Sequence, residues 1–461
     1  MCKALRIVFV ALAAVVLSVA GVSAQTMKYR CIHKVKSKET VFGIARSYGL
    51  TLPELINANP EMSAPDYKLM KGDEIVIPYA INDPHAVIDS TASTVSQETA
   101  AKTKKRDDMR KRGLRVGVML PLHNDNGDGK RMIEYYRGVL LACDSLKKDG
   151  VSVDIHAWNT AEGSDISKTL ADPSAADCDV IIGPLYSKQM AQLSDFVAEN
   201  DIKLLIPFSI NAPQISYNAN IFQVYQAPDD YNAAVINAFV ERFAGCHAIF
   251  IDCNDSTSKK GAFTMTLRKR LENEGRDVSV TSLKTPEESF IKAFRTDQHN
   301  VVVLNTGRSP ELNVAIAKLK GVMAAAPEIA VTLFGYTEWL MYTKYNLDNF
   351  FELDTYIPSN FYYDPVAART GSIERDYRRS FHEDMMQALP RFAITGFDHA
   401  YFFLSGLHKY GRKFCGEEGV LNYPAVQTPL RFEQTAGGGY RNTALLFVHY
   451  LTDKRTEVIL F

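Results

Sequence analysis

Charge of a dominant sign is the first thing this sequence lacks. Its 52 Lys and Arg residues are set against 53 Asp and Glu in 461, a net charge of −1. No global field therefore draws the chain to nucleic acid or to anionic lipid. The charged run Lys102–Arg112 (KTKKRDDMRKR) is interrupted by Asp107 and Asp108 and carries no aromatics for bases to stack on, so it reads as solvated chain. Cysteine is sparse, seven residues, with no CxxC and no paired Cys/His spacing. A structural zinc site is thereby excluded, and neither metal nor cofactor is expected. Leaving out Cys2, six remain: Cys31, Cys143, Cys178, Cys246, Cys253 and Cys415. An oxidising compartment permits disulfides among them; isolated buried thiols are the alternative. Cys246 and Cys253 flank one expected strand, too far apart to bond each other.

Catalytic signatures are missing as well. There is no GxSxG elbow, HExxH, Walker loop or GxGxxG, so no enzymatic activity is expected. The ten histidines are scattered; Asp398-His399, on an apolar helix, is expected to form a buried hydrogen-bonded pair. Asn124–Gly129 (NDNGDG) half-mimics a calcium loop, but Tyr135 stands where the site needs a glutamate, which leaves a solvated loop.

Long apolar runs are confined to Ile7–Val19, preceded by Lys3 and Arg6 and followed by Val22-Ser23-Ala24. That pattern is a secretory signal with cleavage after Ala24, giving residues 1–24 as a leader. The run is shorter than the about 20 residues that span a bilayer, so no stable membrane anchor is expected. The protein is expected to be exported.

What is present begins at His33. HKVKSKETVFGIARSYGLTLPELINANPEMSAPDYKLMKGDEIVIPY reads as a short strand, two short amphipathic helices and a closing strand. Val41, Ile44, Ala45, Leu52, Leu55 and Ile56 recur at helical spacing as its core. The stretch 30–80 resembles a LysM domain, the small βααβ module that binds N-acetylglucosamine polymers such as peptidoglycan. The resemblance implies a sugar site between the loop after the first strand, Ser37, Lys38, Glu39, Thr40 and Val41, and the loop before the second, Asn59, Pro60, Glu61 and Met62. Lys38-Glu39-Thr40 stands where the family has Gly-Asp-Thr, keeping the acid and the capping Thr but not the glycine.

Residues 81–113 then lose periodicity and form a flexible charged linker. From Leu114 short apolar runs alternate with helical segments. Arg115–Pro121, Val151–Ala157, Asp179–Gly183, Lys203–Pro207, His247–Asp252, His299–Asn305 and Ile329–Phe334 read as buried strands. Lys130–Lys148 reads as a helix with Ile133, Tyr136, Leu140 and Cys143 on one side. Parallel sheets covered on both faces are implied, and roughly 340 residues exceed one comfortable sheet, so two α/β lobes are expected. At the end, Leu430–Glu433, Tyr440–Leu451 and Thr456–Leu460 read as strands of a hairpin added to one lobe.

Three stretches, RVGVMLPLHNDNGDGKRMIEYYRGVLLACDSL, DVIIGPLYSKQMAQLSDFVAENDIKLLIPFSINAP and IFQVYQAPDDYNAAVINAFV, are similar to the type I periplasmic-binding-protein fold. This is the two-lobed clamshell of branched-chain amino-acid receptors and of activators of cell-wall synthases. The resemblance implies a ligand cleft at the strand ends of residues 114–461, with Leu122, His123, Tyr186, Ser187, Ser209 and Asn211 on one lobe and Glu338 on the other. Ser187 is either a ligand contact or a plain helix cap, and Ser209 and Asn211 serve equally as turn formers. The sequence departs from amino-acid receptors in having Ser209-Ile210-Asn211 for their Ala-Thr pair, and no aromatic soon after Asp252.

The fold class is thus α/β, a type I clamshell preceded by a small βααβ module. The function expected is a non-enzymatic binding protein, periplasmic and associated with the cell wall, with peptidoglycan at the N-terminal module and a small molecule or an envelope protein at the clamshell. A solute receptor for amino-acid or peptide transport is the alternative, and a wall hydrolase a third.

Overall fold

The computed structural model describes residues 29–36, 39–48, 50, 55–56, 58–59, 62, 69–78, 108–208, 211–417 and 423–461. The expected leader, residues 1–24, and the linker stretch 81–107 lie outside the described residues. Two compact units divide the chain, Met1–Arg106 and Asp107–Phe461.

In the small unit β1 (Tyr29–Lys34) pairs antiparallel with β2 (Glu74–Pro78), His33 opposite Ile75 and Ile32 opposite Val76. Between them lies α1 (Val41–Ser47), started by Thr40, whose hydroxyl accepts the Gly43 N–H at 3.1 Å. Further helical residues occur at Leu55, Ile56 and Ala58. Val35, Ile44, Ala45, Leu50, Leu55, Met62, Ile75 and Ile77 bury one another as its core.

The larger unit holds two seven-stranded sheets. The first is built from β3 (Leu114–Leu120), β4 (Val153–Asn159), β5 (Val180–Ile182), β6 (Lys203–Ile206) and β7 (Ile221–Gln223). β3, β5 and β6 are buried almost throughout, so both faces need a helical cover. Part of that cover is α2 (Gly127–Lys148) and α3 (Met190–Glu199). The chain then passes through α4 (Pro228–Arg242) into the second sheet: β8 (His247–Asp252), α5 (Gly261–Asn273), β9 (Val278–Ser282), β10 (Asn300–Leu304), α6 (Ser309–Ala325), β11 (Val331–Phe334), α7 (Thr343–Glu352) and β12 (Thr355–Ser359). It returns to the first lobe with α8 (Ala368–Phe381) and α9 (Phe392–Tyr410).

The terminal strands differ from the single hairpin expected. The run Tyr440–Leu451 breaks at Thr443–Leu445. β13 (Phe432–Gln434) and β14 (Tyr440–Asn442) extend the first sheet, while β15 (Leu446–Tyr450) and β16 (Thr456–Leu460) extend the second. The break is made by Asn442, whose side-chain oxygen accepts the N–H groups of Arg431 (3.0 Å) and Ala444 (3.2 Å) in place of a strand partner. The chain therefore crosses between lobes a third time there.

Helix α2 also departs from expectation. It begins at Gly127, capped by Asn126 (Oδ1 to Gly129 N, 2.8 Å), so the calcium-like loop is a helix start. Its deepest face is Met132, Tyr135, Val139, Ala142 and Leu146; Ile133, Tyr136, Leu140 and Cys143 are half-buried. The helix is covered by α9 as well as by the sheet, which rotates its centre of burial by one residue. Two glycines permit that contact: a Cβ on Gly138 would lie 1.8 Å from the Ala393 carbonyl oxygen, and one on Gly396 2.0 Å from that of Tyr135.

Residues 108–113, assigned to the linker by their charge, are tied to the larger unit. Met109 is buried, and Arg112 reaches both oxygens of the buried Asp179 at 2.8 Å. Asp398 and His399 are buried but do not pair, because neighbours on a helix diverge. Asp398 instead accepts the Tyr423 hydroxyl and the N–H groups of Val426, Gln427 and Thr428, all at 2.8 Å, while His399 Nδ1 meets the Tyr135 hydroxyl at 3.1 Å. Cys246 and Cys253 sit at the two ends of β8, and Cys143, Cys178, Cys246, Cys253 and Cys415 form no disulfide among the described residues. Burial pushes the Cys143 and Cys253 thiols up to about 12, which makes them unreactive.

Candidate functional sites in the two units

In the small unit the turn after β1 is organised by Glu39. Its carboxylate accepts the Lys36 N–H (2.7 Å) and the His33 Nε2–H (2.8 Å), leaving His33 Nδ1 to accept the Tyr48 hydroxyl at 2.9 Å. The Lys36 amide first, then His33, hold the Glu39 carboxyl below its usual range. Glu39 is thus a staple of the turn that leads into the Thr40 cap. Val41 is half-buried against the core.

The second loop differs from expectation. Asn59 is 1% exposed, and its side chain is spent on the fold. Its amide donates to the carbonyls of Leu55 (2.8 Å) and Val76 (2.7 Å) and accepts the Val76 N–H (2.7 Å), pairing with β2 as a strand would. Met62 is buried in the core. Neither faces solvent. Ser37, Lys38, Pro60 and Glu61 lie outside the described residues.

In the larger unit the carboxyl ends of β3, β5 and β6 are neighbours and bring the described first-lobe candidates to one rim. Leu122 N–H donates to Asn159 Oδ1 at 2.9 Å. His123 is half-buried, its Nδ1 accepting the Asp125 N–H at 3.3 Å. The Tyr186 hydroxyl donates to Asp128 at 3.3 Å. Ser187 is exposed and is the first residue of a 3₁₀ turn, Ser187–Gln189, whose cap position belongs to Tyr186. Asn211 is exposed; Ser209 lies outside the described residues.

On the second lobe Glu338 is already engaged. It forms an ion pair with Lys260 Nζ at 2.8 Å and lies against Gly307, where a Cβ would come 2.2 Å from its carboxylate. A carboxylate so paired is a poor partner for a ligand's ammonium group.

Beside that pair is a pocket of about 380 Å³ at the crossovers between lobes, which sequence reasoning missed. Tyr225, Tyr231, Phe263 and Tyr336 wall it with aromatic rings, and Gln226, Asn232 and Asn360 supply amides. Lys259 and Lys260 stand at its edge, Lys260 also lying 4.5 Å from the centre of the Tyr336 ring. Tyr231 donates to Thr337 Oγ1 (3.1 Å), which donates to the Pro358 carbonyl (2.8 Å). Burial raises the Tyr231 and Tyr336 phenols, so both stay protonated. The signal that could have found this pocket was the aromatic-rich segment VYQAPDDYN after β7.

Residues 33–78 match the family model for the LysM domain. The small unit contains a LysM domain. The strand order and its helix agree with that match, and Asn59 and Glu39 hold the LysM domain's two loops in place. For the larger unit, the structure of a protein described as a branched-chain amino acid ABC transporter from Rhodospirillum rubrum is similar at 16% identity and a TM-score of 0.51, over 76% of this chain and 100% of that one. The C-domain of LpoA from Haemophilus influenzae, a regulator of PBP1A, aligns at 12% identity and a TM-score of 0.46, over 75% of this chain and 99% of that one. The larger unit has the two-lobed type I periplasmic-binding-protein fold. No curated protein matches the chain.

Proposed function

We propose that this chain is an exported, cell-wall-associated binding protein without catalytic activity. Its LysM domain holds an N-acetylglucosamine polymer, peptidoglycan in the first instance, and its clamshell takes a small molecule or an envelope protein at the cleft. The LysM domain at residues 33–78 carries this reading. The leader-like residues 1–24 support export, and among the described residues no helix is long and apolar enough to cross a membrane. The pocket at the lobe crossovers supports binding: it has aromatic walls and a few convergent polar groups, the usual make-up of a ligand site. The cleft's one candidate acid, Glu338, is held by Lys260, which weighs against an amino-acid transport receptor. Titrating the full chain with soluble N-acetylglucosamine oligomers tests the reading. Amide shifts confined to residues 33–78 support it, and their absence at millimolar sugar contradicts it.

A further inference from the structure

The pocket at the lobe crossovers has a composition that selects a ligand chemistry. Its lining contains two lysines, three side-chain amides and four aromatic rings, and no carboxylate. Glu338, beside the pocket, spends its charge on Lys260 at 2.8 Å, and Asp229 and Asp230, in the helix turn between Pro228 and Tyr231, are not among the lining residues, Asp230 pairing with Arg441 at 3.1 Å. Lys259 is exposed and has no ion-pair partner among the described residues. The lining itself therefore carries positive charge only, and an ammonium-bearing amino acid finds no carboxylate on it to offset its own.

A second observation narrows the choice. Gln226 is oriented by donating its amide N–H to the Ala444 carbonyl at 3.0 Å. That fixes Oε1 as the remaining group, and this oxygen is buried without a hydrogen-bond partner. An acceptor of this kind is destabilising when left unmatched, and a ligand that brings an O–H or N–H donor relieves it where the Gln226 side chain turns towards the pocket. Asn232 and Asn360 add further donors and acceptors on the same lining. Tyr225, 40% exposed, offers an open ring face at the entrance.

Ring faces, neutral amides and an ammonium without a matching acid suit a ligand with a flat apolar face, several hydroxyl or amide donors, and one carboxylate. We infer that the pocket binds an N-acetylated sugar acid, a small anionic fragment of the kind of polymer the LysM domain holds. The inference rests on the cleft being a binding site, as given under Proposed function, and adds the class of its ligand. Gln226 lies on the first crossover and is bonded to the third, so an occupant of this pocket touches the hinge between the lobes.

The test is calorimetric titration of the full chain with N-acetylmuramic acid, N-acetylglucosamine and leucine, repeated on Lys259→Glu and Tyr225→Ala. Both side chains are exposed, so the fold should survive either change. N-acetylmuramic acid should bind in preference to the other two, and Lys259→Glu should weaken it by roughly tenfold, the effect of about 1.4 kcal/mol. Tyr225→Ala should weaken it as well. Preference for leucine, no binding of the sugar acid, or binding that Lys259→Glu leaves unchanged overturns the inference. The same variants are sedimented with insoluble peptidoglycan, where they should pellet like the parent. Loss of pelleting by the parent protein would count against the LysM reading, not against the pocket's ligand.

Discussion

The side-chain amide of Gln226 donates to the backbone carbonyl of Ala444 at 3.0 Å, tying the first crossover between the lobes to the third. Residues 226 and 444 are far apart in sequence, yet the bond sits where the chain crosses between the lobes. Ala444 is buried, so no water replaces the donor when it is removed. Gln226→Leu should therefore cost about 1 kcal/mol in denaturant unfolding and raise hydrogen exchange at residues 444–446. Unchanged exchange there would show that the crossovers are held by other contacts.

Asn59→Ala should act on the LysM domain through its fold. The substitution leaves the N–H and C=O of Val76 without their partners, at about 2 kcal/mol. Thermal unfolding of the small unit should shift down while the larger unit is unaffected. An unshifted transition would contradict that role, and loss of sugar binding with an unshifted transition would place Asn59 at the sugar surface instead.

A larger unit cut at residue 114 should be markedly less stable than one that begins at residue 107. The shorter fragment lacks Arg112 and leaves Asp179, whose side chain is fully buried, without its cation. Stranding a buried charge costs about 3 kcal/mol or more. Equal midpoints in urea for the two fragments would contradict the account, and Arg112→Ala in the full chain should reproduce the loss.

Stability should also fall as the solution is acidified. Burial lowers the His399 imidazole from 6.5 to about 3, so it stays neutral in the folded state. The unfolded chain takes up that proton below the ordinary imidazole range. The contribution is therefore complete above pH 6.5 and is lost as pH falls towards 3, the loss reaching about 2 kcal/mol by pH 5. His399→Gln should lose less stability between pH 7 and pH 5 than the parent. A slope equal to the parent's would show that other groups set the acid limit.

Much of the fold was legible in the sequence, because continuous apolar strands alternating with helices leave few arrangements other than a covered parallel sheet. What escaped was contextual. The period of α2 was plain, but its deepest face depends on α9, which returns from the far side of the second lobe to pack on Tyr135. The apolar run Tyr440–Leu451 gives no sign that Asn442 ends one strand and a crossing follows. In the LysM domain, Asn59 is polar and lies in a loop, so it reads as surface until Val76 is seen beside it. The pocket was the least accessible, since Tyr225, Lys259, Tyr336 and Asn360 meet only because the chain crosses between lobes. Glu338 was found, but its partner Lys260 was not, and the pairing changes what Glu338 can do.

The central claim is that the LysM domain holds this protein on the wall polymer. Sedimentation with purified insoluble peptidoglycan tests it, comparing the full chain with a chain lacking residues 33–78. The account predicts that the full chain pellets and the deletion stays in solution while its larger unit remains folded. Pelleting of both to the same extent, or of neither, would contradict it.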